Sequence, residues 1–147
     1  MFCYNAFFIE FGFLLKGNSL KFLKYWFPVI LYCCMIFGVS TIPGNQVPQT
    51  ISVSDKLMHM TLYAGLSALF ARAVAFNSHK PWPFLIWLLS LAFVSFYGIT
   101  DEFHQSYVPG RSSDIQDWMA DLIGGGIGAA LYLLWLRTKQ AKQIKNI

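Results

Sequence analysis

The chain has 147 residues, 56% of them hydrophobic and only 12% charged, with a mean hydropathy of +0.48. An ordinary soluble domain carries about 25% charged residues, so this composition excludes that class and points to one membrane domain of a few spans. The formal charge is +4, but the basic residues gather mostly towards the chain ends, which suits membrane orientation and lipid contact and argues against nucleic acid as a partner.

In chain order, residues 1–23 read as an N-terminal leader, apolar but short and interrupted by Glu10, suited to the membrane interface. Residues 25–42, 57–76, 82–100 and 118–136 follow as four apolar segments. Each is about 20 residues, enough at roughly 1.5 Å per residue to cross a hydrocarbon core of about 30 Å. Trp26, Trp82, Trp118 and Trp135 lie near the segment ends, where amphipathic rings favour the interface. Residues 24–137 therefore read as the membrane domain and 138–147 as a basic tail. Cys3, Cys33 and Cys34 have no zinc-like spacing and read as space-filling rather than bridged.

Lys16, Lys21 and Lys24 precede the first segment, Arg72 and Lys80 flank the middle link, and Arg137, Lys139, Lys142 and Lys145 follow the last. The other two links, 43–56 and 101–117, hold only Lys56 and Arg111 among basic residues. The positive-inside rule then places both termini and the middle link in the cytoplasm, and both acidic links outside. The expected fold is an all-α integral membrane four-helix bundle in a bacterial-type plasma membrane.

Two stretches carry chemistry. In SVSDKLMHMTLYAGL, residues 52–66, Ser54 reads as the N-cap of the second span and Asp55 as a first-turn acid. Asp55, His59 and Tyr63 recur at i, i+4 and i+8 and so share a helical face, with Lys56 beside them. Polar stripes of this kind on a membrane helix mark function by default.

The second stretch is more pointed, because five of the seven acidic residues fall between Asp101 and Asp121. Asp101 and Glu102 close an apolar run, so they meet the negative end of their helix dipole at roughly 0.3–1 kcal/mol apiece. They require partners, for which Arg111, Lys56, a protonated histidine or a metal ion qualify, while Gln105 stands i+4 from Asp101. Pro109-Gly110 then turns the chain, and Ser113 with Gln116 matches a capping box for the fourth span. Asp114, Asp117 and Asp121 share a face, with Asp121 roughly 6 Å deeper than Asp117, too deep to face lipid cheaply. Gly124, Gly125, Gly126 and Gly128 follow, and their GxxxG spacing signals close helix packing.

The stretches DKLMHMTLYAGLSAL and YGITDEFHQSYVPGRSSDIQDWMADLIGGGIGAAL resemble the paired signatures of the VanZ-like membrane proteins. KYWFPVILYCCMIFGVSTIPG resembles the family's first span, so the likeness covers about residues 24–136. The family pattern falls on Asp55, Lys56, His59, Tyr63, Asp101, Glu102, Gln105, Arg111, Asp117 and Asp121, the last a position where many members carry Asn. The family is named for an accessory protein linked to teicoplanin resistance, so the resemblance implies a role in the cell envelope and in antibiotic resistance.

The expected function is a polar site at the outer membrane face that binds or acts on a cell-envelope molecule, either lipid-linked or glycopeptide-related. His59, Asp101 and Glu102 are its candidate catalytic or ordering groups, and Asp55, Lys56, Tyr63, Gln105, Arg111, Asp117 and Asp121 its candidate binding groups. Lys56 and Arg111 would meet phosphate or carboxylate. Expected partners are membrane lipids and a lipid-linked precursor or glycopeptide; the sequence specifies neither a cofactor nor an oligomeric state. Three alternatives use the same residues. One is a metal-dependent hydrolase or transferase with His59, Asp101, Glu102 and Asp117 as ligands. Another is a structural ion-pair clasp, and the third a small transporter relaying protons through Asp121 and His59.

Overall fold

The structure is a computed structural model that describes residues 19–46, 52–77 and 82–145. Four long helices make up its frame: α1 Ser19–Ser40, α2 Ser52–Asn77, α3 Pro83–Gln105 and α4 Ile115–Lys145. A short 3-10 turn, Gly44–Gln46, follows α1, and no strand occurs among the described residues. All four helices are long and apolar enough to cross a membrane, so the chain is a multi-pass membrane protein.

Neighbouring helices run in alternating directions. At one end Tyr25 of α1 stacks on Phe76 of α2 at 3.7 Å, and Arg72 Nη2 donates to the Lys24 carbonyl at 3.3 Å. At the other end the Gly44 N–H, just past α1, donates to the Pro109 carbonyl, just past α3, at 3.0 Å. The first may be called the basic end and the second the acidic end, after their side chains.

Glycine sets the central seam. A Cβ on Gly124 would collide with the Met60 backbone, and one on Gly128 with the Ala64 backbone. The GxxxG of α4 thus lies directly against a matching i, i+4 pair on α2, and small residues let two backbones meet where lipid supplies no hydrophobic drive. Around this seam Tyr63, Leu66, Val94 and Ile36 are wholly buried. Phe70 stacks on Phe93 at 4.2 Å, the Tyr97 hydroxyl donates to the Cys33 carbonyl at 2.6 Å, and Trp87 Nε1 donates to the Gly126 carbonyl at 3.0 Å. The outward faces carry Phe27, Leu31, Phe84, Phe96 and Leu131, all exposed, as lipid-facing side chains should be.

Several expected boundaries move. The first helix begins at Ser19, so residues 19–23 of the expected leader open α1; residues 1–18 fall outside the described residues, with Cys3 and Lys16 among them. Lys80 also falls outside them. Ser54 is not an N-cap, because α2 already starts at Ser52. Helix α4 runs on to Lys145, so the basic tail continues the helix rather than leaving it, and Lys139 covers the Trp135 ring at 5.0 Å. Trp82 and Trp135 are exposed near helix ends as expected, whereas Trp26 and Trp118 turn partly inward. Trp26 packs edge-on against Phe70, and Trp118 Nε1 donates to the Ser95 carbonyl at 3.3 Å. A buried indole N–H usually finds a hydrogen-bond partner; Trp118 has one, whereas the Trp26 N–H is buried without one. Cys33 and Cys34 are free thiols.

Candidate functional site at the acidic end

Two Pro-Gly turns build the floor of this end. Gly110 adopts φ +75°, a backbone that L side chains avoid, and a Cβ on Gly44 would run into the Gly110 carbonyl. The two turns therefore touch backbone to backbone, with the Gly44–Pro109 hydrogen bond between them. This contact holds Arg111 beside the end of α1, where its Nε donates to the Ile42 carbonyl at 3.3 Å. Its terminal Nη groups make no hydrogen bond among the described residues.

The start of α4 is capped by Asp114, whose Oδ1 accepts from the Gln116 N–H at 2.9 Å. That is N-cap geometry, and it replaces the capping box expected at Ser113. The Gln116 N–H holds the Asp114 carboxyl below its ordinary value, and the nearby Lys56 ammonium adds to the effect. Lys56 Nζ, from α2, lies 3.5 Å from Asp114 Oδ2 and 3.1 Å from Asp117 Oδ1. This pairing clasps α2 to the first turn of α4 at the solvent edge.

One turn deeper the setting changes. Asp121 is 0% exposed, and His59 and Glu102 are 6% exposed each. His59 Nδ1 lies 3.0 Å from Asp121 Oδ1; against an ionised carboxylate the ring N–H is the donor. Glu102 Oε2 accepts from the Asp114 backbone N–H at 2.8 Å. Asp121 Oδ2 and Glu102 Oε1 are buried without a hydrogen-bond partner. Asp121 fits because α3 presents Gly98 there: a Cβ would stand 2.9 Å from Asp121 Oδ2. His59, Glu102 and Asp121 each offer a ligand atom, and these three atoms lie within 4.8 Å of one another. Asp55, His59 and Asp117 form a second such group.

Beside this cluster lies a narrow cleft lined by His59, Tyr63, Asp101, Gln105 and Arg111, with Ser40 and Ile36 from α1. Its enclosed space is about 10 Å³, room for one water-sized group. Asp101 is buried, and its Oδ2 accepts from Gln105 Nε2 at 3.0 Å, the i, i+4 pair seen in the sequence. The Tyr63 hydroxyl lies within electrostatic reach of Asp101 without a well-formed hydrogen bond.

The structure thus brings Asp55, Lys56, His59, Tyr63, Asp101, Glu102, Gln105, Arg111, Asp117 and Asp121 to one end, but in three settings: edge clasp, buried cluster and cleft. Glu102 has His59 within 4.8 Å, one of the expected partners, whereas Asp101 makes no ion pair among the described residues. Neutral donors, the Gln105 amide and the Asp114 N–H, meet one oxygen of each. Nor does Asp101 join the anticipated ligand quartet; Asp121 stands with His59 and Glu102 instead. Sequence reasoning missed Gly98, which makes room for Asp121, and the docking of Pro43-Gly44 on Pro109-Gly110. The repeated Pro-Gly was the available signal for the docking; Gly98 offered only its i, i+4 spacing from Glu102.

Comparison with curated proteins and with solved structures finds no match. A family model described as VanZ/LLP1 matches residues 3–136. The match takes in all ten residues gathered at the acidic end and starts some twenty residues before the motifs noted above. The chain belongs to the VanZ/LLP1 family.

Proposed function

We propose that this VanZ-family protein sits in the bacterial plasma membrane with its acidic end outward, and that the cleft there binds the polar head of a cell-envelope lipid or lipid-linked precursor. The placement of basic residues supports the orientation: Lys21, Lys24, Arg72, Arg137 and Lys139 all belong to the opposite end. One observation carries the binding reading. Arg111 is held by its Nε alone, leaving its Nη donors uncommitted at a cleft whose wall contains the buried Asp101 and Gln105. An uncommitted guanidinium fork suits phosphate, and the adjacent carboxylate suits a hydroxyl or ammonium of the same head group. The cleft admits one small group, so the rest of the ligand stays at the membrane surface. Teicoplanin resistance, to which the accessory protein that gives the family its name is linked, would follow from handling such a precursor.

Titrating the purified protein in lipid nanodiscs with a short-chain isoprenyl diphosphate tests this reading. Arg111→Gln should weaken binding about tenfold or more, which is about 1.4 kcal/mol, and Asp101→Asn should weaken it too. Lys142→Gln, at the far end of α4, should change nothing. Equal binding by all four proteins would sink the proposal.

A structural clasp is favoured as a second reading by the Lys56 bridge to Asp114 and Asp117. It accounts for the edge of the site. It leaves unexplained why Glu102 Oε1 and Asp121 Oδ2 are buried without partners.

A further inference from the structure

Four carboxylates are buried at the acidic end: Asp101 at 4% exposure, Glu102 at 6%, Asp117 at 8% and Asp121 at 0%. Among the described residues Lys56 answers Asp117 and His59 answers Asp121, while Arg111 turns its Nε to a carbonyl. Asp101 is left without a cation, and Glu102 has only His59, which already pairs with Asp121. Burying uncompensated carboxylates is costly, and a bound cation is one of the few ways to keep them ionised.

The geometry narrows where such a cation would sit. Glu102 is clamped through Oε2 by the Asp114 N–H, which leaves Oε1 unpartnered. Asp121 Oδ1 meets His59 Nδ1, a hydrogen bond that an ion taking this nitrogen in place of its proton would replace, and Asp121 Oδ2 is unpartnered against Gly98. Glu102 is oriented as ligand carboxylates commonly are, with one oxygen hydrogen-bonded and the other free for an ion. The ligand atoms of His59, Glu102 and Asp121 lie within 4.8 Å of one another. Ligand atoms at about 2.1 Å from one tetrahedral ion stand ~3.4 Å apart, so a pair at the 4.8 Å limit would close by a little over an ångström on binding. The competing group, Asp55 with His59 and Asp117, is weaker because Asp117 already holds Lys56 and Asp55 is only half-buried.

We infer that His59, Glu102 and Asp121 form a binding site for one divalent transition-metal ion, zinc or manganese, between α2, α3 and α4. One imidazole nitrogen with two carboxylate oxygens suits these ions. Three protein ligands leave further coordination positions open. His59 also lines the cleft, so the ion lies next to the space assigned to the head group. The inference goes beyond the head-group reading and does not depend on it, because metal content is measured with no lipid ligand added.

The test uses the full chain, purified in detergent, stripped with chelator, incubated with zinc or manganese in separate samples and passed over a weak chelating resin before elemental analysis. The expected result is close to one equivalent of at least one of the two metals in the wild type. Glu102→Gln and Asp121→Asn, which keep side-chain size, should each retain less than a tenth of that while eluting as the wild type does on gel filtration. A wild type that retains less than a tenth of an equivalent of both metals overturns the inference. So does full retention in both variants, or loss in Asp55→Asn and Asp117→Asn with retention in Glu102→Gln. X-ray absorption of the zinc-loaded wild type keeps the test open should the variants not fold. Nitrogen and oxygen neighbours at about 2.0–2.2 Å are expected, whereas sulfur near 2.3 Å would assign the metal to cysteine and overturn the inference.

Discussion

The acidic end contains two ion-paired groups between α2 and the start of α4 that look alike in sequence and differ in physics. Lys56 with Asp114 occupies the rim, where the side chains are 34% and 40% exposed, and from there Lys56 reaches in to Asp117, whose side chain is 11% exposed. His59 with Asp121 lies about a turn deeper, at 7% and 0%. At the rim Asp114 caps α4 and is open to screening by solvent, and Asp117, in the first turn of α4, takes the Lys56 ammonium. In the deeper pair an imidazole stands where the rim has an ammonium, both groups are stripped of water, and one oxygen each on Asp121 and the adjoining Glu102 lacks a partner. The lesson concerns where to look for a site. Charge density along the chain pointed to the right end of the molecule, but the desolvated half holds the unanswered chemistry.

Removing the imidazole should expose the difference most. His59→Ala leaves Asp121 as a buried carboxylate with no cation, and breaking such a pair costs about 3–5 kcal/mol. Unfolding of the chelator-treated protein in detergent should show a loss of this order. Unchanged stability would place the deeper pair in the same class as the rim. A smaller effect is expected from Gly98→Ala, which adds one methyl group 2.9 Å from Asp121 Oδ2 and 3.3 Å from Trp118 Cδ1. Overpacking of this kind costs about 1–3 kcal/mol. The variant should also retain less metal than the wild type, because the carboxylate has to move. A variant with full stability and full retention would show that the room at Gly98 is not needed.

Much of this was legible beforehand, for identifiable reasons. Four uninterrupted apolar segments define four spans because bilayer thickness fixes their length. The GxxxG of α4 marked its seam because glycine is what lets backbones meet. Helix starts were less legible. Ser112, Ser113 and Asp114 all offer a capping oxygen, and the loop path set by the Gly44–Pro109 contact, distant in sequence, selects Asp114. Partnering was least legible. Asp101 and Glu102 are neighbours in the chain, but consecutive residues on a helix point about 100° apart. One therefore joins Gln105 and the cleft, and the other joins Asp121 and the Asp114 N–H. Face periodicity put Asp114, Asp117 and Asp121 together correctly; burial then divided them, and burial depends on α3, which that periodicity does not contain.

The rim supplies the smallest effect and the cleanest sign. The Asp114 carboxyl is held below its ordinary value of 3.8, first by the Gln116 N–H and then by Lys56. A carboxyl depressed in the folded state contributes stability that is present above the unfolded value and is lost as pH falls through the lower folded value. The capped α4 start should therefore persist at pH 4 and release only below it. A carbon-13 titration of the Asp114 carboxyl, with the Gln116 amide as a second reporter, should give a midpoint below 3.8. In Lys56→Met the midpoint should rise only part of the way back, since the larger cause is the backbone N–H, which the variant keeps. Added salt should shrink the Lys56 contribution further, as it does for exposed pairs, and overall stability near neutral pH should barely change. A midpoint at or above 3.8, or a Lys56→Met loss as large as that of His59→Ala, would erase the distinction between the rim and the buried half.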